Sequence, residues 1–473
     1  MAKVVSQETY DSVVLENCID FELSCDEAHV EAQKEFDAQG VHLGIIVKDG
    51  KLSDDKKKIE HDILIALGQL KTAVAAADNG SPSLEEVKEP LAAFTTACKV
   101  SVAHRVLANN NGAYDTLLKL VKQCQGDTTL LCPSLQAMVA LTEFNPDIVT
   151  TEGYRVLLQL LEEWSSRLEE PAVPEFLAQW CMQCCVKHED NRQSLVSLGA
   201  LGALVSVLQA HRTSSRVVRG VCKALRAFTL DDDVRQAFGK AHEHARLLAE
   251  DHNLIAVCLE LIKEWLNDAD TTSELLSSVA KLCVRAEYCQ EALDRGALLV
   301  INDVLISFPD RPVLNKQALS LLKTLVGNDR VKEVAMKSGV SQLIVAAMTK
   351  HQTECSVCEE ACGAVSMLAL RVPANAKQLV QDGAGQAVVK VMEAHPKARQ
   401  LQKLGCMAIR NMVSRLPENK RVFVEYGVEG VIHTALRNHG EAVKDVARAA
   451  LRDLDLKVEL VEQWRGTGHE ISR

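Results

Sequence analysis

An all-α solenoid, built from helices stacked in repeating triplets, is the architecture this chain calls for. Its 473 residues are 47% hydrophobic but only 4% aromatic. Such a core is made of Leu, Ala and Val, which hold helix well and suit helix-on-helix packing. A glycine followed by a short apolar helix recurs along the chain. After each copy comes a polar break and a longer segment with apolar residues at three- and four-residue steps, such as Val218, Val221, Cys222, Leu225 and Phe228. Self-similarity at this period is the mark of a repeat architecture.

The N-terminal residues, 1–50, read as a small helical appendage. Ser24-Cys25-Asp26-Glu27 has capping-box spacing and opens a helix through Phe36, stopped near Gly40. The charged stretch Lys48–Lys58 reads as a linker within a second region, 51–99. A long apolar helix is expected from Ile59 to Ala77, broken at Asn79-Gly80-Ser81-Pro82. Leu84 to Asn110 then supplies a helical cap or a degenerate first repeat.

About eight repeats are expected over 100–456. Their glycines are Gly112, Gly153, Gly199, Gly296, Gly339, Gly383 and Gly427, and the last four stand 43, 44 and 44 residues apart. The 97 residues between Gly199 and Gly296 leave room for one longer, divergent repeat without the glycine, its second helix running Leu254 to Leu266. Each glycine is expected to end a short first helix, where a residue with φ > 0 closes the turn at no steric cost. Asn191, Asn375, Asn419 and, more loosely, Asn328 precede these glycines and are expected to cap that first helix. The longer third helices read Arg216–Leu230, Val313–Val326, Glu354–Leu370, Lys397–Ser414 and Glu441–Leu456. No single triplet can bury its own apolar faces, so neighbours must stack. Beyond Leu456, residues 457–473 read as a C-terminal cap, Val458–Trp464, and a short tail, Arg465–Arg473.

This pattern resembles the armadillo repeat: a short first helix, a Gly, a second helix with a Leu-Val pair, and a long third helix. Ala408-Ile409-Arg410-Asn411-Met412 is the best copy of the family's third-helix ending. The order of segments, including Ala97–Asn111 and Phe238–His244, is similar to that of one particular member. The resemblance implies an armadillo-type α-solenoid, an intracellular repeat protein; a protein partner is expected on the concave third-helix surface, and no cofactor is expected.

Composition narrows the function classes. The net charge is −11, against the basic balance of proteins that wrap nucleic acid or lie on anionic membranes. No run reaches the roughly 18 apolar residues of a membrane helix, and the N-terminus has no apolar signal core. The expectation is a cytoplasmic protein, with the nucleus as the other compartment. The sixteen cysteines, spread through helical patterns, read as reduced thiols.

Two sets on helical steps carry metal-ligand residue types: Cys181, Cys184, Cys185 and His188, and His351, Cys355, Cys358 and Cys362. Zinc needs four ligands converging at about 2.0–2.3 Å, and one helix face offers only two. Filling a packing seam is the better account. No Gly-x-Ser-x-Gly, His-Glu-x-x-His or phosphate-cradling loop is present, and no local signature selects a nucleophilic thiol. An enzyme, metal-dependent or thiol-based, is the remote alternative.

Import-type members of the armadillo family carry a ladder of third-helix Asn residues that hold a peptide backbone, with Trp four positions earlier. Here that column reads Ala227, Thr324, Met367, Asn411 and Asp453, so only Asn411 survives, and Met407 stands where Trp would. The residue before the column is basic in Arg226, Lys323, Arg410 and Arg452, with Ser366 the exception, and seven positions earlier stand Arg219, Lys316 and Lys403, with Glu359 and Asp445 the exceptions. A seven-residue step keeps both positions on nearly one helix face. The expected partner-binding residues are therefore Arg219, Arg226, Lys316, Lys323, Lys403, Arg410 and Asn411, with an acidic extended peptide as ligand. The competing account is that these cations are solvated or paired with neighbouring Asp and Glu. A second candidate surface is the N-terminal helices, with the solenoid as support. His242 and His244 read as an exposed loop pair.

Overall fold

The computed structural model describes residues 3–77, 82–414 and 416–458. Asn79, Gly80, Ser81 and the stretch from Glu459 to the C-terminus lie outside the described residues, so the expected break before Pro82 and most of the expected C-terminal cap are not part of it.

The N-terminal part begins with β1 (Lys3–Val4), α1 (Gln7–Asp20), α2 (Cys25–Ala38), β2 (Val41–His42), β3 (Lys51–Leu52) and β4 (Ile59–Glu60). α1 and α2 pack together around Tyr10, Val14, Ala28, Ala32 and Phe36. The capping box forms: Ser24 N–H donates to Glu27 Oε2 at 3.0 Å and Glu27 N–H to Ser24 Oγ at 3.4 Å. β1 pairs parallel with β2, and β3 antiparallel with β4. The expected linker Lys48–Lys58 is thus partly structured, with Ser53 Oγ accepting from Lys57 and Lys58 N–H at 3.2 Å each. Ile59 is buried in the N-terminal core and not in a helix. The long apolar helix therefore starts three residues later than expected, because Ile59 finds its burial against α1 and α2.

That helix is α3 (Asp62–Ala76), which pairs with α4 (Leu84–Val100). Next come α5 (Val102–Asn110), α6 (Ala113–Gln123) and α7 (Thr128–Thr142). A 3-10 turn at Pro146–Ile148 replaces a first helix before α8 (Thr151–Trp164) and α9 (Ala172–Cys185). α10 (Glu189–Ser197), α11 (Ala200–Ala210) and α12 (Ser215–Ala227) follow. The divergent repeat comprises α13 (Ala241–Glu250), α14 (Leu254–Trp265) and α15 (Ala269–Leu282). Regular triplets resume with α16 (Ala286–Asp294), α17 (Ala297–Ser307) and α18 (Pro312–Leu325), then α19 (Asp329–Lys337), α20 (Val340–Lys350) and α21 (Cys355–Ala369). The last two are α22 (Pro373–Gln381), α23 (Ala384–Ala394) and α24 (Arg399–Val413), and α25 (Pro417–Glu425), α26 (Val428–His439) and α27 (Lys444–Asp453).

The chain divides into two units, Met1–Leu254 and Ile255–Arg473. In the first, the third helices α4, α7, α9 and α12 pack in that order; in the second, α15, α18, α21, α24 and α27 do. Each third helix buries its small and branched apolar side chains against the next, as Val357, Ala361, Ala364, Val365 and Leu368 of α21 show. Interdigitated neighbours of this kind supply what no triplet supplies alone.

Six of the seven repeat glycines do what the spacing demands. Gly112, Gly199, Gly296, Gly339, Gly383 and Gly427 have φ between 72° and 94° and turn the chain between first and second helices. In the divergent repeat Asn253, at φ 51°, takes the left-handed turn before α14, a conformation Asn tolerates better than most residues. Gly153 is the exception. It lies inside α8, buried, and a Cβ there would collide with the Tyr114 hydroxyl. It is a close-packing glycine and not a turn.

The repeat asparagines also have a different task from the one expected. Only Asn328 caps its first helix, accepting from Arg330 N–H at 3.0 Å. Asn191, Asn375 and Asn419 are buried inside theirs, and each donates Nδ2–H to a carbonyl seven residues back. The acceptors are Cys184 at 2.9 Å, Leu368 at 3.1 Å and Met412 at 2.7 Å. These carbonyls lie in the last turn of the preceding third helix, which has no intrahelical donors of its own. The amide ties two helices together instead of starting one.

Candidate functional site

The cationic column is built on the third helices, and each unit carries part of it. In the first unit, Arg219 and Arg226 stand half-buried on α12. Arg219 borders a concavity of about 320 Å³ shared with Glu175, Gln179, Arg216 and Lys223, where Arg216 Nε meets Glu175 Oε2 at 2.9 Å.

In the second unit the column is tied into neighbouring helices. Lys323 of α18 reaches Glu360 of α21 at 2.5 Å, its methylenes crossing Gly363, where any Cβ would crowd Lys323 Cδ. Arg410 Nε of α24 lies 3.3 Å from Asp453 Oδ2 of α27, and Arg452 shares that carboxylate at 2.9 Å. Asn411 donates Nδ2–H to Ser366 O at 2.9 Å and Ser366 Oγ at 3.0 Å. Lys316 is half-buried and Lys403 exposed, and neither makes an ion pair among the described residues. The structure thus gives Lys323, Arg410 and Asn411 a second role, cross-linking successive third helices, while Lys316 and Lys403 present their charge to solvent. Pairing with neighbouring carboxylates, the competing account, holds for Lys323 and Arg410.

The two Cys/His sets are committed elsewhere. Cys181, Cys184 and Cys185 are fully buried, and burial pushes the Cys184 and Cys185 thiols well above the ordinary range. His188 accepts from Asn191 N–H at 3.2 Å through Nδ1 and turns Nε2 to Asp147 at 3.0 Å, so it caps α10. His351 Nε2–H donates to Pro309 O at 2.8 Å, and Cys358 Sγ–H to His351 O at 3.3 Å. Among the described residues no three His, Cys, Asp or Glu side chains are grouped to hold a metal ion. His244, read as exposed, is in fact buried: Nδ1–H donates to Phe228 O at 3.0 Å, and burial lowers its pKa. His242 beside it is exposed.

One constellation escaped the sequence reading. The loop after α12 folds back on α10, where Arg192 and Glu189, both buried, pair at 2.8 Å. Arg192 also meets Asp232 at 2.6 Å, and Arg235 holds Asp233 at 2.8 Å and Asp147 at 2.7 Å. Burial pushes the Glu189 carboxyl up, but hydrogen bonds from Gln193, Lys240 N–H and Arg192 outweigh it and hold the group below its usual range. Arg235, helped by the Glu189 and Arg235 N–H groups, holds Asp233 far below its own. Arg371, four residues before Asn375 as Lys187 is before Asn191, was also passed over; that shared spacing was the available signal.

Triplets of this order, with left-handed glycine turns and stacked third helices, define an armadillo-type α-solenoid. Two family models match the chain: ARMC6 over residues 63–472, and the armadillo repeat-containing protein 6 N-terminal domain over 2–62. The chain belongs to the armadillo repeat-containing protein 6 family. It is 42% identical over 477 residues to the Homo sapiens protein of that name, covering 98% of this chain and 93% of that one. It is 34% identical over 376 residues to the Drosophila melanogaster homolog, covering 79% and 78%. Among solved structures, an engineered protein aligns with TM-score 0.53 at 18% identity, covering 82% of this chain and 100% of that one. A structure on a phosphorylation switch controlling the interaction between cadherin and beta-catenin aligns with TM-score 0.53 at 15% identity, covering 85% and 73%. Both likenesses concern the fold.

Proposed function

We propose that this chain is a non-enzymatic, cytoplasmic scaffold that grips extended acidic segments of partner proteins on its third-helix surfaces. The observation that carries the reading is the seven-residue pairing of cations on α12, α18 and α24, within which Lys316 and Lys403 make no ion pair among the described residues. In a chain of net charge −11, α12, α18 and α24 carry Arg and Lys but no Asp or Glu, a local field suited to steering acidic peptides. That a structural neighbour is described through the interaction between cadherin and beta-catenin adds a precedent for protein partners on this fold.

The test is fluorescence anisotropy of labelled Glu-rich and Lys-rich peptides against the full chain. The Glu-rich peptide is expected to bind, and the double substitution Lys316→Glu with Lys403→Glu to weaken it at least tenfold. Preference for the Lys-rich peptide would end the reading.

A second surface has its own support. Ile19 of α1, Phe21 just after it and Val30 of α2 stand 50%, 69% and 51% exposed, apolar side chains that a partner would cover. Loss of a captured partner on Phe21→Ser, with Lys316→Glu harmless, would favour that surface.

A further inference from the structure

A repeated device closes four of the junctions between a first helix and the third helix that follows. A basic residue of the first helix reaches the end of that third helix. Arg105 of α5 approaches Glu143 beyond α7 at 3.7 Å, and Arg192 of α10 meets Asp232 beyond α12 at 2.6 Å. Lys332 of α19 donates to Leu370 O beyond α21 at 3.1 Å, and Lys420 of α25 meets Asp455 beyond α27 at 2.7 Å. α16 and α22 break the pattern: where the others have Arg or Lys seven residues before the repeat glycine, they have Cys289 and Ala376.

At the latter, between the start of α22 and the end of α24, there is a cavity of about 180 Å³. Arg371, Arg410, Asn411 and Ser414 line it over Leu370 and Pro373, and among the described residues no carboxylate does. The nearby anions are already shared, Asp453 between Arg410 and Arg452, and Asp329 with Lys332 at 2.7 Å. Among the described residues no carboxylate forms an ion pair with Arg371, and Asp329, which interacts with it electrostatically, is held by Lys332.

The first unit shows what fits such a place. Lys187 corresponds to Arg371, four residues before the repeat asparagine, and both are left-handed, at φ 55° and 64°. There the chain inserts its own carboxylates. Asp232 Oδ2 accepts from Lys187 N–H at 3.1 Å, and Asp233 Oδ2 from Glu189 N–H at 2.9 Å. At the start of α25 stand Leu416 and Pro417 in place of that acidic loop, and the first carboxylate there, Glu418 in the first turn of α25, is not among the residues lining the cavity.

We infer that the Arg371–Arg410 cavity receives an anionic side chain, a carboxylate or a phosphate monoester, from a bound peptide. The guanidinium groups of Arg371 and Arg410 and the Ser414 hydroxyl suit either group, since guanidinium matches both in planar, two-pronged geometry. The inference rests on the acidic-peptide reading above and adds the place where one anionic residue is anchored.

The experiment compares three labelled peptides, identical except for a central Glu, phosphoserine or Lys, on the full chain and on Arg371→Glu, Ser414→Asp and Lys377→Glu. Lys377 is exposed on α22 outside the cavity lining and controls for net charge. Arg371→Glu and Ser414→Asp are expected to weaken the Glu and phosphoserine peptides at least tenfold, Lys377→Glu less than threefold, and the Lys peptide is expected to bind least. Tighter binding of phosphoserine than Glu would identify phosphate as the preferred group, and the reverse order carboxylate. Equal losses for all three variants would overturn the cavity while leaving the broader reading intact. If no acidic peptide binds the wild type, that reading fails. The cavity is then judged by adding sodium phosphate to arginine-¹⁵Nε-labelled protein: selective shifts of the Arg371 and Arg410 signals sustain it, and uniform or absent shifts overturn it.

Discussion

Single residues in this chain are held by contacts whose partners lie about one repeat away in sequence. Gly153 is small because Tyr114 occupies the space a side chain would need. Gly153→Ala is expected to cost about 1–3 kcal/mol through overpacking, read as a lower denaturant midpoint with unchanged slope. Arg192 is the strictest case, since removing it strands the buried Glu189 carboxylate. Arg192→Met is expected to cost about 3–5 kcal/mol at pH 7. The pH dependence follows from the shifts. Glu189 and Asp233 are held below their usual range, so their contribution is complete above the unfolded carboxylate pKa of about 4 and disappears as pH falls through the folded values. His244, depressed by burial, adds a loss beginning as pH drops below its ordinary value of about 6.5. Without Arg192 the stranded Glu189 gains by protonation, so the variant is expected to lose less stability than wild type between pH 7 and pH 4. Urea melts at both pH values check this.

At the scale of the element, the short first helices act as clamps on third-helix ends. Asn419→Leu leaves the buried Met412 carbonyl without its donor, and a cost of about 1–3 kcal/mol is expected, read by the same melts. The thiols report on the third helices in another way. Cys98, Cys358 and Cys406 are pushed up to about 12 by burial, and Cys184, Cys185 and Cys362 are raised well above the usual range. Only Cys18, Cys25, Cys132 and Cys355 are partly exposed. Iodoacetamide at pH 8 is therefore expected to label these four in the native protein, with the buried thiols following only in denaturant. Asn191, Asn375 and Asn419 were visible in the sequence as a recurring position, yet their partners were not. An Asn near a helix start caps by default, and only the packed third helix offers the better acceptor.

For the whole molecule, stability is a chain of nearest-neighbour interfaces within each unit. Leu322 of α18 is fully buried, and Leu322→Ala is expected to cost about 2–5 kcal/mol. Because α18 packs on both α15 and α21, amide hydrogen exchange is expected to quicken in all three helices while the first unit keeps its protection. Confinement of the change to α18 would contradict this coupling. The cationic column behaves in the same collective manner: its sequence period is regular, but the charge it presents depends on which cations a neighbouring helix has claimed.

By itself, the sequence determined the helical triplets, their approximate bounds, six of the seven glycine turns and the recurrence of cations on one third-helix face. These follow from local rules, apolar period, turn chemistry and spacing, which act over a few residues. Tertiary structure alone decided that Gly153 packs against Tyr114, that Ile59 belongs to the N-terminal core and that His244 is buried. It decided too that Lys323 and Arg410 bind neighbouring carboxylates, whereas Arg371 and Arg410 border an open cavity beside Ala376. Each of these depends on groups brought together from about 10 to 50 positions apart, and only a packed interior, where every buried polar group needs a partner, selects which ones meet.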